Sequence, residues 1–199
     1  MISLRDLLRT ASRTFAIGIE QLPGVLSDAG TVAYLLLRVS DYLEDNEDMP
    51  AQRKIVLLNL WAEILKSNAK VEELTSQIQN VDTSNPDAVV AQHTKDILLR
   101  LSSLPMEVQE IIVHHVIKTT YGMARWVERG PQVMDEADMD DYMFEVAGRV
   151  GYLLTHLFAW YSIAIRNKKD KLLPLSREFG LALQTVNVIR DLRKDYERG

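Results

Sequence analysis

Cysteine is absent from this chain of 199 residues, which excludes disulfide scaffolds, thiolate metal sites and thiol nucleophiles together. Glycine and proline are scarce, at 9 and 6, too few turn formers for the many reversals of a β-sandwich, so helices are favoured. Basic runs are missing too: the formal net charge is -5 and the pI about 5.4, whereas a protein that neutralises nucleic-acid phosphates carries a basic face. Nucleic acid is therefore not an expected partner. An anionic small molecule stays open, because bound metal ions can reverse the sign of an acidic site. Long apolar runs are also lacking. The most apolar stretch, 153–165, is interrupted by His156 and falls short of the ~18 residues that span a bilayer. Charges at Arg5 and Asp6 stand where a signal peptide needs its apolar core. The expected location is cytoplasmic, at most peripheral to a membrane. Lys168, Lys169 and Lys171 read as a solvated turn that could make transient membrane-surface contact. Oligomeric state is not legible.

What the chain does have is helical periodicity, at a length that favours one domain over residues 1–199. Ser3 and Asp6 resemble an N-cap arrangement for a helix running to about Leu22, before Pro23-Gly24. A second helix is expected from near Ser27 into the acidic stretch before Pro50, and Pro50 suits the first turn of a third. Residues 66–87 are more polar, with a loop signal at Thr83-Ser84-Asn85-Pro86. Helices are then expected over 87–101, from Pro105 to Gly130-Pro131, over 138–165, and from about Pro174 to the end. The expectation is an all-α bundle of seven or eight helices.

Asp41, Glu44 and Asp45 fall at i, i+3 and i+4 and share one helix face. One and two turns earlier the same stripe carries Arg38 and Tyr34, beside the apolar Leu35, Leu36, Leu37 and Val39. By itself this pattern fits a solvated acidic helix end, with Arg38 paired to Asp41 or Asp45, better than a cation site, because charge runs usually face water. Acids near a helix C-terminus oppose the macrodipole, a cost that a bound cation offsets.

A second stripe weakens the bland reading. Gln184, Asn187, Asp191 and Asp195 recur at spacings of three and four, with Arg190 beside them. Val186, Val188, Ile189 and Leu192 intervene, so this helix is expected to pack into a core, where an unpaired carboxylate would be costly. Mg²⁺ prefers oxygen ligands and commonly takes one or two carboxylates plus substrate phosphate and water. Two such helices suit Mg²⁺ ions that neutralise a departing diphosphate.

These residues sit in blocks that resemble the squalene and phytoene synthase family. The blocks are Ser12-Arg13-Thr14-Phe15, the run from Tyr34 through Arg38 and Asp41 to Glu44-Asp45, Tyr142 to Gly151, and Gly180 to Asp191, in family order. The resemblance implies a trans-isoprenyl diphosphate synthase bundle with a central cavity, joining two prenyl diphosphates, expected to be farnesyl diphosphate, head to head. It implies Mg²⁺ and diphosphate binding at Asp41, Asp45, Asp191 and Asp195, with Glu44 and Asn187 in the metal set. Arg38, Gln184 and Arg190 support that cluster, and Ser12, Arg13, Phe15 and Tyr34 belong to the substrate site, with Phe15 and Tyr34 near the reacting carbons. Tyr142 is implied in the first half-reaction. The aromatic faces suit a carbocation.

The run Asp41-Tyr42-Leu43-Glu44-Asp45 is nearer the squalene synthase form, which implies NADPH for reduction of a cyclopropyl intermediate; phytoene and dehydrosqualene synthases do without it. The alternatives are a phytoene or dehydrosqualene synthase, or a non-catalytic relative acting as a binding or assembly protein, which should have lost some of these acids. Two departures stand out: Lys194 occupies a position where the family often has Glu, and family members continue through further helices beyond the point matching Gly199, implying a bundle shortened at its C-terminus.

Other candidates have bland explanations. No Glu-x-x-His pair supports a di-iron bundle, and His156 reads as a packed helix residue with one hydrogen bond. Trp61, Trp126 and Trp160 read as core. Gly148 and Gly151 allow either a close helix approach or room for a prenyl chain beside Tyr142.

Overall fold

The computed structural model describes residues 2–67, 71–78, 85–130 and 132–198, and the side chains of Arg13 and of residues 191–199 lie outside that description. Among the described residues every regular element is helical, in agreement with the all-α expectation. The chain divides into two compact units, Met1–Gly130 and Pro131–Gly199.

In the first unit, Ser3 and Asp6 form a reciprocal capping box at the start of α1 (Leu4–Ala11). The expected single helix to Leu22 is instead two. Ser12 turns extended, with φ -161° and ψ 113°, and its hydroxyl caps α2 (Arg13–Glu20) by accepting from the Phe15 N–H at 3.3 Å. The long helix α3 (Gly24–Asp45) begins three residues before the expected Ser27 and supplies much of the core through Val32, Leu35, Leu36, Val39 and Leu43. Pro50 directly precedes α4 (Ala51–Ser67), as its fixed φ and missing N–H favour.

Residues 68–70 and 79–84, including Thr83 and Ser84 of the loop signal, are outside the description, and α5 (Val71–Gln77) lies between them. The helix expected over 87–101 breaks at His93 into α6 (Pro86–Gln92) and α7 (Thr94–Ser102). Pro105 opens α8 (Met106–Arg129), and Gly130 closes it at φ 90°, a left-handed value that glycine adopts without strain.

A buried polar chain ties three of these helices. Trp61 Nε1 of α4 donates to Ser40 Oγ of α3 at 3.1 Å, and Ser40 Oγ lies 2.8 Å from Thr120 Oγ1 of α8. Trp61 is fully buried and Trp126 nearly so, as expected of core residues, whereas Trp160 is only half-buried.

The second unit holds α9 (Glu136–Met143), a π-helical turn (Phe144–Gly148), α10 (Arg149–Tyr161), α11 (Ile163–Arg166) and α12 (Lys169–Arg198). The single helix expected over 138–165 is therefore interrupted twice. The π-turn inserts an i→i+5 bond from Arg149 N–H to Phe144 O, and Ser162 breaks the chain at φ -123° and ψ 120°. With the breaks at Ser12, His93 and Ser162, the helices number more than the seven or eight expected. The last helix starts before Pro174 and carries that proline inside it.

Packing of α12 differs from the sequence reading. Val186 and Ile189 are exposed, at 62% and 67%, and Leu175, Phe179 and Leu183 continue the exposed apolar stripe. This helix packs instead through Gly180 and Leu181, which are buried. Among the described residues no helix is long and apolar enough to cross a membrane.

Candidate functional site

The α3 half of the site grows out of the buried core stripe. Leu35, Leu36, Val39 and Leu43 anchor the helix on one side, which holds Tyr34, Arg38, Asp41 and Glu44 half-buried on another, with Asp45 exposed. Arg38 Nη1 donates to Asp41 Oδ2 at 2.8 Å. Its Nε donates to Asp87 Oδ1 at 2.7 Å, and its Nη2 to Asp87 Oδ2, so a bidentate pair joins α3 to the first turn of α6. Sequence reading paired Arg38 with Asp41 or Asp45 and missed Asp87. Nothing local marks it: Asn85-Pro86-Asp87 reads as a helix start, and the partner lies 49 residues away.

Burial raises the Asp41 carboxyl to about 7; Arg38 opposes this, and the neighbouring Asp45 and Asp87 add to it. Burial also lifts Glu44 to about 8, with Asp45 and Asp41 contributing and Lys54 opposing. Lys54 Nζ donates to the Glu44 carbonyl at 2.5 Å, a cation at the negative end of the helix. Arg38 stays protonated: burial pulls its pKa down, but Asp41 and Asp87 outweigh it. Carboxylates crowded in this way gain from a cation that neutralises them.

Tyr34 lies one turn further back. Its ring stands 5.6 Å from that of Phe15, centroid to centroid, at 35°. Burial raises the Tyr34 hydroxyl pKa, against the effect of Arg38 and a hydrogen bond with Ser12. Ser12 thus serves both as the cap of α2 and as a neighbour of Tyr34, while Phe15 is 52% exposed. Ser12, Phe15, Tyr34, Arg38 and the α3 acids are gathered within one unit; the Arg13 side chain lies outside the description.

In the second unit Gln184 and Asn187 are half-buried, and Asn187 Nδ2 donates to Gln184 Oε1 at 3.2 Å, so the two amides share a face of α12 as their spacing requires. Asp191 and Asp195 continue that face by helical position, and Arg190 is exposed beside it. Tyr142 is half-buried in the last turn of α9, directly before the π-turn.

Gly151 shows the close approach: a Cβ there would stand 2.1 Å from the Ser176 carbonyl oxygen of α12. Among the described residues no group of three or more His, Asp or Glu side chains converges as a metal cage. Mg²⁺ needs none, since it takes one or two carboxylates and keeps phosphate and water as its other ligands. Oxygen donors alone at Asp41, Glu44 and Asp45 fit that ion. His156 Nδ1 lies 2.8 Å from Tyr152 O, in keeping with a packed helix residue.

The sequence profile of the squalene/phytoene synthase family matches residues 8–199, and the chain belongs to that family. It is 34% identical over 194 residues to squalene synthase BSS of Botryococcus braunii, covering 96% of this chain and 39% of that protein. It is 30% identical over 197 residues to squalene synthase of Bos taurus, covering 96% of this chain and 43% of that one. The solved complex of TcSQS with the ligand BPH1237 superposes at a TM-score of 0.79 with 27% identity, over 94% of this chain and 52% of that one. The chain thus spans about two fifths of the length of these curated relatives.

Proposed function

We propose that this chain takes part in head-to-head condensation of two prenyl diphosphates, with farnesyl diphosphate as substrate and a squalene synthase-like outcome. The observation that carries the reading is the α3 face, where Arg38, Asp41, Glu44 and Asp45 crowd at one end of a core helix in a chain of this family. In the first unit Asp41, Glu44 and Asp45 are the residues we propose for Mg²⁺, and in the second unit Asn187, Asp191 and Asp195 of α12 are those we propose for the same chemistry. Bound there, Mg²⁺ supplies charge neutralisation to a leaving diphosphate.

The chain's own residues do the rest. Arg38 braces Asp41 in a fixed orientation, and Gln184 and Asn187 offer neutral amide N–H donors to phosphate oxygens. Tyr34 and Phe15 present aromatic faces to developing positive charge. Tyr142, half-buried near the end of α9, is the residue we propose for the first half-reaction. Formation of squalene further requires a reductant, and NADPH is the one we propose.

Two measurements test this reading. Thermal denaturation with Mg²⁺ and farnesyl diphosphate should give a shift that neither gives alone, and Asp41→Asn and Asp191→Asn should each abolish it. Pyrophosphate release and product analysis, with and without NADPH, then separate squalene from dehydrosqualene or phytoene. A full shift that survives both substitutions would sink the two-helix mechanism.

A further inference from the structure

Asp87 is a carboxylate of the Arg38 cluster that α3 does not supply. It comes from the first turn of α6, where its backbone N–H donates to Asn85 Oδ1 at 2.9 Å. Its carboxylate takes the side edge of the Arg38 guanidinium, Nε and Nη2 together, and in that orientation Arg38 reaches Asp41 through Nη1. That division matters. A guanidinium free to turn its fork on Asp41 would occupy both oxygens of that carboxylate and cancel its charge. Held side-on, Arg38 touches Oδ2 alone. Asp87 also balances the charge of Arg38, so the acids of α3 keep their attraction for a cation. The pair is partly shielded, with side chains 27% and 19% exposed, and is less open to solvent screening than a surface bridge.

We propose that Asp87 is a positioning residue of the acidic site on α3, holding Arg38 side-on so that it orients Asp41 without competing for the divalent cation. This rests on the function proposed above, in which Asp41 is a metal ligand.

The test is equilibrium binding of Mn²⁺ with inorganic pyrophosphate, read from the electron paramagnetic resonance signal of free Mn²⁺. Far-UV circular dichroism and thermal melts on each variant check folding. Asp87→Asn should weaken Mn²⁺ binding about 10- to 100-fold, the usual effect of losing a partner that orients a ligand. In an Arg38→Met background the same substitution should change binding less than about twofold, because the competitor is gone. Equal losses in both backgrounds would mean Asp87 acts only through its charge, and wild-type binding by Asp87→Asn would mean it does nothing; either overturns the proposal. Should Asp87→Asn fail to fold, Asp87→Glu carries the test. It keeps the charge but displaces the side-on geometry, so weakened binding supports positioning and unchanged binding overturns it. Wild-type protein that binds no Mn²⁺, or Asp41→Asn that binds as wild type, would instead strike at the proposed function itself.

Discussion

Gly151 of α10 lies against the backbone of Ser176 of α12, so near that a Cβ on Gly151 would stand 2.1 Å from the Ser176 carbonyl oxygen. Gly180 answers from α12, where a Cβ would stand 2.7 Å from the Ala147 carbonyl oxygen and 2.9 Å from Gly148 Cα. The two helices meet backbone to backbone, which only missing side chains allow. Gly151→Ala must push rigid backbone apart and should cost about 2–4 kcal/mol, read as a lower denaturation midpoint in urea. Gly18, in α2, has nothing within 4 Å of its would-be Cβ and makes the control. Gly18→Ala should be neutral or stabilising by up to about 1 kcal/mol, from helix propensity.

Short-range chemistry was the legible part of this chain. The Ser3–Asp6 capping box, Pro50 before α4, Pro105 before α8 and the stop at Gly130 all follow from signals within a few residues. So does the common face of Gln184 and Asn187, which spacing alone determines. The breaks at Ser12 and His93 escaped because apolar periodicity runs across them; at Ser12 only the cap chemistry ends the turn. Ser162 escaped in the same way. Asp87 was invisible for a different reason: its partner is brought near by tertiary packing of α6 on α3, and no local pattern encodes that meeting. The exposed Val186 and Ile189 show the limit of periodicity, which identifies an apolar face without saying what covers it.

Ser40 is a hub whose loss should be felt in three helices. It accepts from Trp61 Nε1 at 3.1 Å and lies 2.8 Å from Thr120 Oγ1, with all three residues buried. Thr120 retains the Val116 carbonyl at 2.8 Å if Ser40 is removed, whereas the indole N–H loses this acceptor. Ser40→Ala should therefore cost about 1–3 kcal/mol, the penalty of a buried donor left without its bond. Urea melts followed by tryptophan fluorescence measure it. In a Trp61→Phe background Ser40→Ala should cost less than in the wild type, because the stranded donor goes with the indole.

Asp41 and Glu44 make a pH signature. Folding raises Asp41 from 3.8 to about 7 and Glu44 from 4.5 to about 8, so the folded state binds more protons than the unfolded chain between those limits. Stability from these groups is fully present at pH below the ordinary carboxylate values and is lost as pH rises through about 7 and about 8. Metal-free protein should thus melt lower at pH 8.5 than at pH 5.5. Each pKa unit is worth about 1.4 kcal/mol, and solvent at the quarter-exposed Asp41 screens part of it, so Asp41→Asn should stabilise by about 2 kcal/mol at pH 8.5. Near pH 4 the substitution should be close to neutral. A variant whose melting temperature falls as steeply with pH as that of the wild type would show that Asp41 titrates normally.

Glu145 and Arg149 form the buried ion pair of the π-turn, with side chains 8% and 21% exposed. Arg149 Nη2 donates to Glu145 Oε1 at 2.8 Å, its Nε donates to Oε2, and the guanidinium lies 4.8 Å over the Phe144 ring. The pair spans the π-turn that follows α9. Removing one partner strands the other charge in a poorly solvated place, whereas removing both relieves the desolvation that the pair had to overcome. Glu145→Leu alone should cost about 3 kcal/mol, and Glu145→Leu with Arg149→Leu clearly less. Urea denaturation of the two single variants and the double variant closes the cycle. A double variant no more stable than Glu145→Leu would mean that the pair contributes through packing of its stems, and that the charge of Arg149 is already accommodated by the Phe144 face.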